Sequence, residues 1–589
     1  MDHYTRIFDL PYYQLTKYPK DDCLNEKVGG VWQSYSTQQV IDQVNKVSMA
    51  LVASGIRTGD KISIIANNRP LWNFVDFGTM QIGAITVPIY PTISDDEYVY
   101  ILNNAEVKML FVSGGELYQR IQDLRNRIAS VKEIFSFNED TSAPQWKGFL
   151  TRADASDINQ VNSIRDSINP KQTACIIYTS GTTGFPKGVM LSHHNVIENM
   201  RSVSDVLPIN HIHRVLSFLP LNHVFEKMVV YCYIMKGASV YYAESMETIG
   251  DNLREVKPYF FTCVPRLLEK VYERIIGKGL ELKGVKKSLF FWALRLGEMW
   301  DNQKQLGPWY HLQLKIARKL VFSKWIEALG GNVFAIVSGA APLNAKIGRV
   351  FTAAGITIME GYGLTETSPV IAVNRYDLKN NMLGTVGPVV PGVMVKVAED
   401  GEILCKGENV MEGYYKLPEE TAKAIDADGW FYTGDIGEWV NDRFLKITDR
   451  KKELFKTSGG KYVAPQPIEN AFKESFLIEQ MMVVGDAKKF VSALIVPSFP
   501  NLKAWCEKNE ILFSSNEELI CKPKVLQKYQ EVVDEKNSSL GHTDRIKKFK
   551  LLADEWTTPG GQLTPTLKLK RKVILNRYQN EIKEMYEEQ

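Results

Sequence analysis

Between about residues 35 and 275 one pattern repeats: short apolar, β-branched runs bounded by polar turns alternate with longer stretches of helical periodicity. The runs KISIIA (61–66), KMLFVS (108–113) and ACIIYTS (174–180) have strand length and are apolar almost throughout, as strands covered on both faces are. Strands separated by helices predict an α/β architecture with largely parallel sheets. Past residue 281 the pattern changes. FFWALRLGEMW and HLQLKIARKLVFSKWIEALGG read as two helices around Gly307-Pro308, a helical insert over 281–330 with Leu312, Ile316 and Leu320 as its core stripe. Its Lys, Arg and Trp content leaves two readings: a hairpin packed on its own domain through that stripe, or a basic aromatic face resting on a membrane. From 384 to 447 short strands with Gly and Asp-Gly turns predict a β-rich subdomain.

The charge-dense DRKKELFKTSGGKYVAP follows, and then a new α/β pattern runs toward residue 589. The expected organisation is a large N-terminal domain over 1–448, with two α/β subdomains and the β-rich one, a hinge at 449–452, and a small mobile α+β C-terminal domain over 453–589. Composition changes this little. A net charge of +3 and a hydrophobic fraction of 44% are those of an ordinary globular protein and imply no nucleic acid. Seven cysteines are scattered without a CxxC pair, which reads as reduced, buried thiols of a cytoplasmic protein. The first twenty residues have no apolar core of a secretory signal, and the longest apolar run, Met228 to Met235, is too short to span a bilayer. Membrane contact, if made, is peripheral, at the inner face.

Residues 178–193 read YTSGTTGFPKGVMLSH. Gly181 and Gly184 with Thr179, Ser180, Thr182 and Thr183 make a loop whose N–H groups and hydroxyls can turn toward phosphate oxygens, and Lys187 adds positive charge at its end. Such donor density suits a triphosphate, on which catalysis is mainly positioning and charge neutralisation. It is not a Walker A loop, because Pro186 precedes Lys187 and Gly188 follows it. The loop is expected at the carboxyl end of a strand and before a helix containing Val196 to Met200, where α/β sheets bind anions. MEGYGLTETSP (359–369) adds a close-approach turn, an aromatic face at Tyr362, and at Glu366 a carboxylate suited to Mg²⁺. SGAAP (338–342) is a small-residue turn, YTGDIGEW (432–439) sets Asp435 between glycines, and LPLNHVFEK (219–227) places His223 beside an apolar strand. For His223 a structural and a functional role both stand.

These segments resemble the signatures of the adenylate-forming superfamily, which includes acyl-CoA synthetases, luciferases and adenylation domains of peptide synthetases. The resemblance spans nearly the whole chain, with its motifs in order. It implies an adenine pocket at Gly339 and Ala340, contacts to adenine and AMP phosphate from Tyr362, Gly363 and Thr365, and Mg²⁺ on Glu366 and Thr182. It implies ribose contacts from Asp435 and Arg450, a hinge at Lys452, and His223 at the junction of acyl pocket and CoA channel. It implies a thiol channel facing Gly460, and Lys187 and Lys568 as catalytic cations. Lys570 is the second match for the mobile lysine, since the glycine that precedes it in many relatives is Leu567 here.

RVLSFLPLNHVFEKMVVYCYIMKGASVYY (214–242), the basic insert and LTPTLKLKR look like long-chain fatty acid–CoA ligases. The activity implied is adenylation of a fatty acid by ATP, then thioester formation with CoA. A fatty acyl-AMP ligase serving a carrier protein, and a non-catalytic lipid- or nucleotide-binding relative, are the other readings. Monomer and homodimer are both open.

Overall fold

The structure, a computed structural model, describes residues 3–139, 143–155, 157–179, 185–564 and 567–587. The chain forms two compact units, one of 1–396 with 404–432, the other of 397–403 with 433–589. By contacts the division falls at 432/433, because the antiparallel hairpin Phe431–Val440 and Phe444–Arg450 carries residues 433–450 with the second unit.

The first unit has the expected α/β class. In one sheet Thr357–Gly363, Ala335–Ser338, Phe260–Cys263, Arg214–Ser217, Ser239–Tyr242 and Leu24–Val28 run parallel, with Val370–Val373 and Val31–Tyr35 antiparallel at the edges. In the other, Thr173–Thr179, Ile85–Pro88, Lys61–Ile65, Val107–Val112 and Glu133–Ser136 are parallel, and Lys187–Ser192 and Gly413–Tyr414 extend it antiparallel. The three runs picked out by their apolar composition all lie in this second sheet.

One hydrophobic cluster serves both sheets. Polar ties cross it. Lys227, on the helix Val224–Met235 of the first sheet, lies 2.5 Å from the Asp76 carboxylate on the helix Pro70–Gln81 of the second, over the Trp72 ring, and the Tyr231 hydroxyl donates to the same carboxylate. Asn222 donates to the carbonyls of Ile64 and Ile89 at the carboxyl ends of two strands. The LPLNHVFEK segment is thus the seam between the sheets, and each buried ion has a partner, as burial of charge demands.

The insert comprises Gly284–Glu298, Pro308–Ala317, a π turn Arg318–Phe322 and Ser323–Ala328. It is packed on its own unit, against Val350, Ala353 and Ala354, but not through the expected stripe. Tyr310, Leu314, Ala317 and Val321 are the buried positions, whereas Leu312, Ile316 and Leu320 are exposed. Both stripes are apolar at helical spacing, so the sequence pattern fits either face and only the neighbouring helix chooses.

The second unit has its own core over the sheet Ile478–Val484, Val491–Pro497, Ile546–Leu551 and the helices packed on it. Six cysteines are buried and free; Cys521 is exposed, against the expectation that all were buried.

Candidate active site

The hydroxyl- and glycine-rich loop joins two strands. Thr179 pairs with Lys187 across the hairpin Thr173–Thr179 and Lys187–Ser192, while Ser180, Gly181, Thr182, Thr183 and Gly184 lie outside the described residues. The expected helix is present: His193–Ser204, capped by Ser192, contains Val196 to Met200, and the strand Lys187–Ser192 stands between it and the loop. KGVMLS lies between two strand neighbours, Thr173–Thr179 and Gly413–Tyr414.

Strand pairing sets the geometry around Lys187. Gly413–Tyr414 pairs with Met190 and Val189, which brings the Tyr414 ring to 4.9 Å from the Lys187 ammonium. The Tyr414 hydroxyl donates to Glu366 Oε1 at 2.9 Å. On the helix Pro418–Ala424 the Glu420 carboxylate is 2.5 Å from Lys187 Nζ, and Thr421 Oγ1 accepts from the Tyr414 amide. Hydrogen bonds from Lys187 and Lys423 hold the Glu420 carboxyl down at about 2. Burial, with Glu366 alongside, pushes the Tyr414 phenol far up, so it stays a donor. Neither Tyr414 nor Glu420 was singled out in the sequence. MEGYYKLPEET reads as part of the β-rich subdomain, although its Gly-Tyr pair completes the sheet that carries the loop.

Glu366 sits in the 3₁₀ turn Thr365–Thr367 after the strand Thr357–Gly363, with its carbonyl accepting from the Met411 amide. Tyr362 pairs with Ala372, and Gly363 is dictated by its neighbour: a Cβ there would lie 1.8 Å from the Pro369 carbonyl oxygen. Within this strand Glu360 is buried and accepts from the Gly384 amide, its carboxyl pushed up to about 8 by desolvation. Gly339 donates to the Cys263 carbonyl, and Ala340 takes φ 69°, a left-handed conformation unusual for a residue with a Cβ. A Cβ at Gly339 would meet the Phe225 ring at 3.1 Å. His223 Nδ1 accepts from the Phe225 amide as the N-cap of Val224–Met235, and Glu226 behind it accepts from Ser217 and Thr262.

The second unit brings Asp435 and Arg450 together. They are register partners, with Arg450 Nε 3.1 Å from Asp435 Oδ1 and Asp435 buried. Lys451 is held by Asp400 and Glu402, both at 2.6 Å, and Lys452 beside it is exposed. Gly460 takes φ 75° in the turn between the short strands Phe455–Lys456 and Tyr462–Val463. Lys568 is exposed, its amide donating to Thr564 Oγ1; Lys570 caps the helix Arg571–Arg577. Leu567 has φ 61°.

Among the described residues no group of three or more His, Cys, Asp or Glu side chains gathers to hold a metal, and no helix is long and apolar enough to cross a membrane. A carboxylate oriented by a phenol, next to a lysine at a phosphate-type loop, does fit Mg²⁺, which binds through one or two carboxylates together with substrate phosphates.

The AMP-binding enzyme pattern matches residues 12–415, and the AMP-binding enzyme C-terminal domain matches 453–589. The chain belongs to the AMP-binding enzyme family. Among curated members of that family it is 34% identical to the long-chain-fatty-acid–CoA ligase FadD15 of Mycobacterium bovis, over 95% of this chain and 93% of that protein. It is 30% identical to human long-chain-fatty-acid–CoA ligase 1, over 94% and 82%. Its fold is that of a carboxylate reductase adenylation domain from Mycobacterium chelonae (TM-score 0.77, 20% identity, 99% of this chain and 91% of that one). It also matches a Mycobacterium tuberculosis fatty acyl CoA synthetase (TM-score 0.62, 20% identity, 98% and 99%).

Proposed function

We propose that this AMP-binding enzyme is a long-chain fatty acid–CoA ligase. The observation that carries the reading is the convergence of Lys187 and Glu366 on Tyr414 beside the hydroxyl-rich loop, a cation and an oriented carboxylate where a magnesium triphosphate has to be gripped. The names of the relatives at 30–34% identity support the long-chain acyl substrate and CoA.

In the first step a carboxylate oxygen of the fatty acid attacks the α-phosphorus of ATP and pyrophosphate leaves. Lys187 and the Thr179–Gly184 loop hold the phosphates, and Glu366, with Thr182, would hold Mg²⁺, which neutralises charge on the leaving group. Gly339, Ala340, Tyr362, Gly363 and Thr365 receive the adenine and α-phosphate, Asp435 and Arg450 the ribose, and Lys568 the developing charge at the carboxylate. In the second step the CoA thiolate attacks the acyl carbonyl and AMP leaves, after rotation at 449–452 exchanges Lys568 for the Gly460 face; His223 lines the acyl–thiol junction. Leu567 supports Lys568 over Lys570. It holds the left-handed conformation that a glycine takes freely, at the position where many relatives have glycine. Seven free thiols suit a cytoplasmic enzyme.

Pure protein with ATP, Mg²⁺ and palmitate should release pyrophosphate, and added CoA should convert the adenylate to thioester. No pyrophosphate would refute the reading; adenylate that accumulates whether or not CoA is present would make the protein a fatty acyl-AMP ligase.

A further inference from the structure

The face of the insert opposite its packed stripe is exposed. Trp309 is 70% exposed, Leu312 50%, Ile316 44% and Leu320 48%, and their spacing of three to four residues aligns them on one side of Pro308–Ala317 and the π turn that continues it. Single exposed apolar residues are ordinary, but a contiguous row headed by a tryptophan is not.

Charge says what the row faces. From 282 to 326 there are nine Lys and Arg and two acidic residues, a net +7 in a chain whose total is +3, so the remainder carries −4. Both acids are engaged, Asp301 with Lys304 and Glu298 with Lys346. Lys315 and Lys319, exposed, flank the row one helical step to its side. An apolar stripe with tryptophan, bordered by lysines and devoid of acid over 302–326, is the composition of a helix lying in a bilayer interface. A second copy of this chain would set +7 against +7. An anionic lipid surface offers complementary charge and an apolar layer beneath it.

We infer that Pro308–Phe322 is an interfacial docking surface for anionic membranes, with Trp309, Leu312, Ile316 and Leu320 seated among the acyl chains and Lys315 and Lys319 at the headgroups. The inference stands apart from the ligase reading, since it needs neither nucleotide nor fatty acid.

Flotation of the full chain with vesicles of phosphatidylcholine, and of phosphatidylcholine with an equal part of phosphatidylglycerol, tests it. The chain should float with the second, less with the first, and high salt should reduce flotation with the second but not with the first. Lys315→Gln/Lys319→Gln should weaken binding by roughly tenfold or more, and Trp309→Ser/Leu312→Gln/Ile316→Gln should abolish it while leaving the thermal unfolding midpoint close to the parent's. If the triple variant unfolds early, the lysine pair, which supports no core, carries the test alone. Failure to float with phosphatidylglycerol vesicles, or unchanged flotation of both variants, overturns the inference. So does a dimer in sedimentation that the triple variant dissolves without any vesicle binding.

Discussion

At the scale of single residues, Tyr414 links the two charges of the proposed site, its ring facing the Lys187 ammonium and its hydroxyl on Glu366. A hydrogen bond to a charged group contributes about 1.5–3 kcal/mol. Tyr414→Phe should therefore keep the ring contact, lower the rate of pyrophosphate release roughly tenfold, and raise the Mg²⁺ concentration needed for half-maximal rate; a titration of initial rate against Mg²⁺ reads both. Leu567 makes a second case. A left-handed conformation costs a residue with a Cβ about 1–2 kcal/mol, so Leu567→Gly should hold or raise the adenylation rate. Leu567→Val, with a β-branched side chain at φ 61°, should reduce it. Equal rates in the two variants would mean that this turn does not set the lysine.

Elements act through buried groups that no surface pattern reveals. The helices Pro70–Gln81 and Val224–Met235 are joined by Lys227, Asp76 and Tyr231. Lys227→Met leaves the Asp76 carboxylate buried without its cation, and should destabilise the first unit by about 3–5 kcal/mol in denaturant unfolding. The double variant Asp76→Leu/Lys227→Met should recover most of that loss. Glu360 lies in the same strand as Tyr362, and desolvation raises its carboxyl from 4.5 to about 8. Between those values the folded protein keeps a proton that the unfolded chain has released, so this group's contribution falls as pH rises through the window. Glu360→Gln removes the titration and keeps the acceptor for the Gly384 amide. Its melting temperature should gain on the parent's progressively from about pH 5 to about pH 9, and a constant offset would contradict the assignment.

For the whole molecule, the proposed reaction divides between the units: Lys187, Glu366 and Tyr414 belong to the first, Asp435, Arg450, Gly460 and Lys568 to the second. Under the ligase reading Lys568→Ala should abolish adenylate formation while supplied acyl-AMP still reacts with CoA at near the parent's rate. Measuring the half-reactions separately distinguishes this from general damage, which would slow both. The excess charge of the insert is likewise a property of the whole chain, visible only against the −4 of the remainder.

The sequence by itself determined the α/β class, the sites of the main strands, and the motifs that mark the family, because apolar runs, glycines and hydroxyl clusters act locally and are written contiguously. It pointed to the wrong helical stripe of the insert, since Leu314 and Leu312 are equally apolar and only Val350 and Ala353 across the interface distinguish them. It gave no sign that Gly413–Tyr414 would leave its neighbours to pair with Met190 and Val189, nor that Glu420 would reach Lys187. Those are contacts between residues more than two hundred positions apart, and a partner's identity at that distance is decided by the packing of sheets, where burial of unpaired charge and unpaired backbone is what the fold has to avoid.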